Sequence, residues 1–205
     1  MAGLAVIDVG SNSIKVAVVE ESDRSELGRR TESVRLQQDA GAGEPFAVEA
    51  QEAAVAAIGR LLEFAREKGA RRFMILGTSA VRECANRQAF AERVLAATGL
   101  PLTVVSGEVE ARLAGAGVRT DPAYQAYANL LVFDLGGGSL EVTAIRGSHC
   151  TLARSFPLGS VRMTHGYLRG GADPADDLDQ LSIRTHLLGV LQPVIPAAAA
   201  ENYLI

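Results

Sequence analysis

VIDVGSNSIKVAVV (Val6 to Val19) and VFDLGGGSLEVTAI (Val132 to Ile145) align without a gap, 126 residues apart as counted from Asp8 to Asp134. Val6 meets Val132, Asp8 meets Asp134, Gly10 meets Gly136, Ser13 meets Ser139 and Val16 meets Val142. Most remaining pairs are apolar on apolar. The period is far longer than that of a solenoid repeat. It fits duplication of a whole domain, each copy opening on strand, Gly/Ser turn and strand. Hydrophobic patterning alone does not require a shared Asp, Gly and Ser at fixed places in both turns.

The rest of the chain reads around these two hairpins. Leu4 to Val9 and Ile14 to Glu20 are strands, and Arg30 to Gln37 alternates loosely as a third. Phe46 to Lys68 has helical spacing, with Val55, Ile58, Leu62 and Ala65 on one face and Gly69 as a stop. Phe73 to Leu76 is a strand, Asn86 or Arg87 to Thr98 a helix, Leu102 to Val105 a strand and Ser106 to Leu113 a helix. The order is β-β-β-α-β-α-β-α. After a linker at Asp121-Pro122, strands recur at Leu130 to Asp134, onward to Ile145, and near Cys150 to Ser155. Helices are expected at Leu158 to Leu168 and Asp177 to Leu191, stopped by Pro193 and Pro196. Ala197 to Ala200 reads as a connector and Asn202 to Ile205 as the opening of a strand. The expected domains are 1–124 and 125–205.

Bulk properties narrow the class. The 205 residues are 48% hydrophobic and 21% charged, which is globular rather than disordered composition. A net charge of −4 argues against a nucleic-acid coat or an anionic-membrane binder. MAGLAVIDVGS has no basic n-region, and Asp8 interrupts its apolar run, so no signal peptide is read. No run of about 18 apolar residues calls for a membrane span. Cys84 and Cys150 make neither a metal spacing nor a disulfide framework. A cytoplasmic address is expected. His149, His165 and His186 share no ligand spacing.

The chemistry is concentrated in the turns. Gly- and Ser-rich backbone presents N–H groups with no side chain in the way, and concave sets of such donors bind phosphate oxygens. Ser11, Asn12, Ser13 and Ser139 add side-chain donors. An aspartate at the strand end suits Mg²⁺, which takes carboxylate, water and phosphate ligands. Asp8 and Asp134 are therefore metal candidates, and Glu141 either ligates the metal or orients its waters. No G-x-G-x-x-G leads into a helix and no Walker A motif occurs, so the Rossmann and P-loop readings fail. In VVSGEVEARL, ordinary dipole compensation accounts for Glu108. Glu110, in the same helix start, can accept a proton from an attacking water. In GTSAVRECAN, Thr78 and Ser79 are hydroxyl donors, and Arg82 carries a planar fork suited to phosphate.

The strand and helix order resembles the actin-like ATPase (ribonuclease H-like) α/β fold of sugar kinases and heat-shock chaperones. Five ordered segments carry a closer resemblance: VIDVGSNSIKVAVV, GTSAVRECAN, SGEVEARL, VFDLGGGSLEV and FPLGSVRMT (Phe156 to Thr164). Together they are similar to the exopolyphosphatase and guanosine pentaphosphate phosphohydrolase family. The resemblance implies one complete lobe and an incomplete second one, two lobes facing a cleft. It also implies hydrolysis of a terminal phosphate from polyphosphate or guanosine pentaphosphate with Mg²⁺ or Mn²⁺. Glu110 matches the residue that activates water, and Asp8, Asp134 and Glu141 match the metal site. Ser11, Asn12, Ser13, Gly136, Gly137, Gly138 and Ser139 match the phosphate turns, with Thr78, Ser79 and Arg82 beside them. Val109 departs from the family's usual acid pair before Ala-Arg. The resemblance also leads one to expect a homodimer partner or a C-terminal continuation over the second lobe. Two alternatives stand beside it: an actin-like ATPase or sugar kinase, and a non-catalytic phosphate- or nucleotide-binding module.

Overall fold

A computed structural model describes residues 3–37, 43–168 and 175–194. Pro196 and the connector and strand expected at 197–205 lie outside the described residues. The chain divides into two compact units between Ser106 and Gly107.

In the first unit, β1 (Gly3–Val9), β2 (Ser13–Glu20) and β3 (Glu26–Ser33) form an antiparallel meander. It continues through α1 (Val48–Glu67), β4 (Ala70–Gly77), α2 (Ser79–Glu83), α3 (Arg87–Thr98) and β5 (Leu102–Val104). The sheet order is β3-β2-β1-β4-β5, with β1, β4 and β5 parallel. Strict alternation aims Ala5, Ile7, Val9, Ile14, Val16 and Val18 at one face, where all are buried. That face meets Ala54, Ala57, Ile58, Leu61, Leu62 and Ala65 of α1 and Phe90 and Val94 of α3. Val55, expected on the stripe of α1, is only partly buried at its edge. Ala54 and Leu61 complete the stripe instead.

The third strand begins four residues before its expected start. Pairing runs from Val19↔Glu26 to Ser13↔Ser33, and the chain then turns out of the sheet, with Arg35 at φ +52°. A non-glycine residue in the left-handed region ends an extended run. Residues 34–37 are therefore not strand, although their alternation continues.

The second unit opens with α4 (Gly107–Thr120). A meander of β6 (Asn129–Leu135), β7 (Leu140–Arg146) and β8 (His149–Phe156) follows, then α5 (Ser160–Tyr167) and α6 (Asp177–Leu191). Strand β7 is central and buried on both faces. Leu140, Val142 and Ala144 join Leu131, Phe156 and Leu158 in a core against Met163 of α5 and Leu187, Val190 and Leu191 of α6. On the other face α4 packs on β7 and β8. This packing is why the unit begins at Gly107, whereas the sequence placed the division at 124/125. The helix also runs seven residues past its expected end at Leu113. Gly115 and Gly117 resemble stop signals, but Gly115 lies directly against Thr143 and Ile145 of the sheet. A Cβ there would lie 2.5 Å from Cγ2 of Thr143. Thr143 is fixed in turn, because its Oγ1 donates to the Ala111 carbonyl at 2.6 Å. Among the described residues no helix is long and apolar enough to cross a membrane.

The two glycines of α4 separate packing from propensity. Nothing lies within 4 Å of a Cβ added at Gly117, so Gly117→Ala is expected to stabilise by up to about 1 kcal/mol. Gly115→Ala has the same propensity gain but meets a pinned β-branched neighbour. A net loss of about 1–2 kcal/mol is expected. Urea midpoints for the two variants are predicted to move in opposite directions.

Candidate functional site

In the first unit the expected residues gather at one end of the sheet, where the parallel strands β1 and β4 finish. This is the edge at which open α/β sheets place ligands. Asp8 stands opposite Lys15 of β2 and beside Leu76 of β4. It alternates with Ile7 and Val9, so it projects from the face opposite the apolar core. Residues 10–13 connect the two strands beyond the Val9↔Ile14 pair. The Gly10 N–H donates to the Ser13 carbonyl at 3.2 Å, closing the loop on the Val9↔Ile14 pair. Ser11 is buried, Ser13 half-buried and Asn12 exposed.

The neighbouring turn after β4 is bound to the first. Thr78 donates from both its N–H and its Oγ1 to the Val9 carbonyl, each at 3.3 Å. Ser79 Oγ donates to Glu83 at 3.1 Å, and Arg82 Nη1 donates to the Val105 carbonyl at 3.0 Å. The hydroxyl protons of Thr78 and Ser79 are thus directed at protein acceptors. Through its bond to the Val105 carbonyl, Arg82 ties α2 to the residue after β5.

The second unit repeats the closing bond of the first turn. The Gly136 N–H donates to the Ser139 carbonyl at 2.9 Å, across the Leu135↔Leu140 pair. These are the repeat equivalents of Gly10, Ser13, Val9 and Ile14. Sequence identity at Asp, Gly and Ser therefore corresponds to one four-residue loop built twice. Asp134 is exposed and pairs directly with Glu141 across β6 and β7. Glu141 is 2% exposed. Ser155, opposite it on β8, donates from Oγ to Oε1 at 2.6 Å. A buried carboxylate needs such donors, because desolvation penalises its charge. Nothing in the sequence pointed to Ser155, since strand register is needed to set it against Glu141.

Glu110 lies in the first turn of α4 and is half-buried. The same helix covers the face of β7 that carries Thr143 and Ile145, and by alternation Glu141 projects from that face. Glu108 and Arg112 form an exposed i,i+4 pair at 3.0 Å. The ordinary explanation, a solvated charged helix face, therefore suffices for Glu108 and Arg112 but does not include Glu110.

Among the described residues no three His, Cys, Asp or Glu side chains form a self-contained metal cage. Mg²⁺ does not need one, since it is commonly held by one or two carboxylates, water and substrate phosphate. The cross-strand Asp134–Glu141 pair has that chemistry.

Five strands ordered 3-2-1-4-5, a second meander opening on the same loop, and acids ahead of both loops define an actin-like α/β protein. The Ppx/GppA phosphatase family model matches residues 6–197, and the chain belongs to that family. An uncharacterized protein of Streptomyces coelicolor is 36% identical over 173 residues, 83% of this chain and 51% of that one. Exopolyphosphatase 1 of Mycobacterium tuberculosis is 30% identical over 168 residues, 80% of this chain and 48% of that enzyme. The chain thus spans about half the length of these curated relatives. Among solved structures, an exopolyphosphatase from Cytophaga hutchinsonii superposes with a TM-score of 0.86 at 24% identity, covering 97% of this chain and 64% of the other. An exopolyphosphatase-like protein superposes equally well at 28% identity, covering 99% and 64%.

The Ser155–Glu141 bond gives a direct test of the buried carboxylate. Hydrogen bonds to charged groups contribute about 1.5–3 kcal/mol. Ser155→Ala is therefore expected to lower unfolding free energy by about that amount in urea titration at neutral pH. A loss below about 0.5 kcal/mol would mean that the hydroxyl does not hold Glu141.

Proposed function

We propose that this chain binds and hydrolyses terminal phosphate from polyphosphate, with Mg²⁺ or Mn²⁺ bound alongside the substrate. The observation that carries the reading is the loop built twice, with an aspartate two residues ahead of each opening glycine. Two such loops offer phosphate oxygens backbone N–H groups from Ser11 to Ser13 and from Gly137 to Ser139. Asp134, Glu141 and Asp8 supply carboxylates for the metal. Arg82 contributes charge near the first loop, and Thr78 and Ser79 hold that loop's neighbour in place.

In this reading Glu110 takes the proton of a water that attacks the terminal phosphorus. A bond forms from the water oxygen to phosphorus and the bridging P–O bond breaks. Inorganic phosphate leaves, and the shortened chain keeps the bridging oxygen. When bound, the metal supplies neutralisation of the charge on the phosphate oxygens. Phosphoryl transfer depends mainly on such positioning and neutralisation, with a smaller share for the base. Polyphosphate is preferred to guanosine pentaphosphate as the substrate because the curated relative at 30% identity is an exopolyphosphatase.

Phosphate release from tripolyphosphate and from guanosine pentaphosphate, measured with Mg²⁺ and with EDTA, tests this proposal. Release is expected from tripolyphosphate, abolished by EDTA and restored by excess Mg²⁺. Glu110→Gln is expected to lower kcat by about 10²–10⁴-fold with little change in KM. Equal turnover in wild type and Glu110→Gln would remove Glu110 from the chemistry. Release unaffected by EDTA would remove the metal.

A further inference from the structure

Both loops are held from behind, by backbone donors that follow the third strand of each meander. In the first unit the N–H groups of Val34 and Arg35 donate to the Asn12 carbonyl at 3.0 and 2.9 Å, and that of Gln37 donates to the Ser11 carbonyl at 3.2 Å. In the second unit the Ser160 N–H donates to the Gly136 carbonyl at 2.9 Å. Those of Val161 and Arg162 donate to the Gly137 carbonyl at 3.0 and 3.3 Å. Arg162 Nε adds a bond to the Gly138 carbonyl at 3.0 Å. Val34, Arg35 and Leu36 sit the same 126 residues before Ser160, Val161 and Arg162 as Asp8 before Asp134. The repeat thus extends past the aligned hairpins into segments whose side chains share nothing.

The consequence follows from peptide planarity. In a trans peptide the C=O of one residue and the N–H of the next point in opposite directions. Carbonyls of Gly136, Gly137 and Gly138 drawn toward the start of α5 turn the N–H groups of Gly137, Gly138 and Ser139 away from it. Carbonyls of Ser11 and Asn12, drawn toward residues 34–37, do the same for the N–H groups of Asn12 and Ser13. The first-turn donors of α5 are meanwhile occupied by the loop.

Gly159 makes this approach possible. Its φ of −64° and ψ of 153° are open to any residue, so conformation is not why glycine stands there. Space is: a Cβ would lie 2.3 Å from the Gly137 carbonyl oxygen and 2.3 Å from the Gly138 carbonyl carbon. We propose that Gly159, Ser160 and Arg162 are positioning residues. They hold the 136–139 loop by its carbonyls so that its amide hydrogens form a preset phosphate cradle, a role that residues 34–37 fill for the 10–13 loop. This inference rests on the phosphate reading above and assigns FPLGSVRMT its task.

Three variants of the full chain separate this role from plain stability. Ser160→Pro deletes both donors of Ser160 to the Gly136 carbonyl, the N–H at 2.9 Å and the Oγ hydroxyl at 3.3 Å, where proline suits a helix start, since Ser160 is the first helical residue and Gly159 before it is extended. Gly159→Ala forces helix and loop apart. Thr164→Ala changes an exposed side chain further along α5 that takes no part in holding the loop, and serves as the control. Tripolyphosphate with Mg²⁺ is titrated into ¹⁵N-labelled protein. The wild type and Thr164→Ala are expected to bind alike, with shifts at the Gly137, Gly138 and Ser139 amides. Ser160→Pro is expected to weaken binding about threefold to tenfold, because the Gly136 carbonyl loses both its N–H and its hydroxyl donor. Gly159→Ala is expected to weaken it tenfold or more and to lose those amide shifts, while β6 to β8 amides keep their wild-type protection from exchange. Wild-type affinity in both Gly159→Ala and Ser160→Pro would overturn the positioning role alone. No binding by the wild type would overturn the phosphate reading and this role with it.

Discussion

The hydrogen bond from the first glycine of each loop to the serine carbonyl three residues later sets the geometry on which both units are built. It closes a four-residue connection between antiparallel strands, and so fixes the register of β1 on β2 and of β6 on β7. Register then decides which side chains share a face. With side chains alternating strictly, a slip of one residue would send Ile7 and Val16 out of the core and Asp8 into it. The same slip in the second unit would separate Asp134 from Glu141 and Glu141 from Ser155. Loop closure, core formation and the placement of acids are therefore one constraint.

The loops also show how a backbone can be given a direction without side chains. Glycines let the chain come close to a ligand, but a free glycine loop has no preferred aim, and ordering it costs entropy. Here the aim comes from the carbonyl side, through donors that follow the third strand. Preorganised donors of this kind are effective because no reorganisation is needed when charge develops. The left-handed Arg35 and the glycine at 159 are the local concessions that bring those donors into reach.

Helix α4 serves the second unit in a similar way. Gly115 lets it settle on Thr143, and the bond from Thr143 to the Ala111 carbonyl fixes it there. Glu110 is the residue before Ala111. Its place over the face of β7 is thus decided by a contact one turn further along the helix. Gly115, a residue that resembles a helix stop, is in fact a packing contact, and the helix continues through it past the expected end at Leu113.

Much of this was legible in the residues. The repeat of Asp, Gly and Ser, the strand and helix order and the positions of Asp8, Asp134, Glu141 and Glu110 all follow from local periodicity and turn chemistry. These depend on neighbours a few residues away. What periodicity did not reveal was long-range. The third strand ended at Ser33 because Arg35 turns toward Asn12. Helix α4 belonged with the later strands because Gly115 meets Thr143. Ser155 mattered because register sets it against Glu141, and Gly159 because its missing Cβ leaves room for a carbonyl. Sequence by itself determined which loops exist and what chemistry their residues offer. Tertiary structure decided which way those loops face, because a peptide's direction is set by partners that the chain brings back from more than twenty residues away.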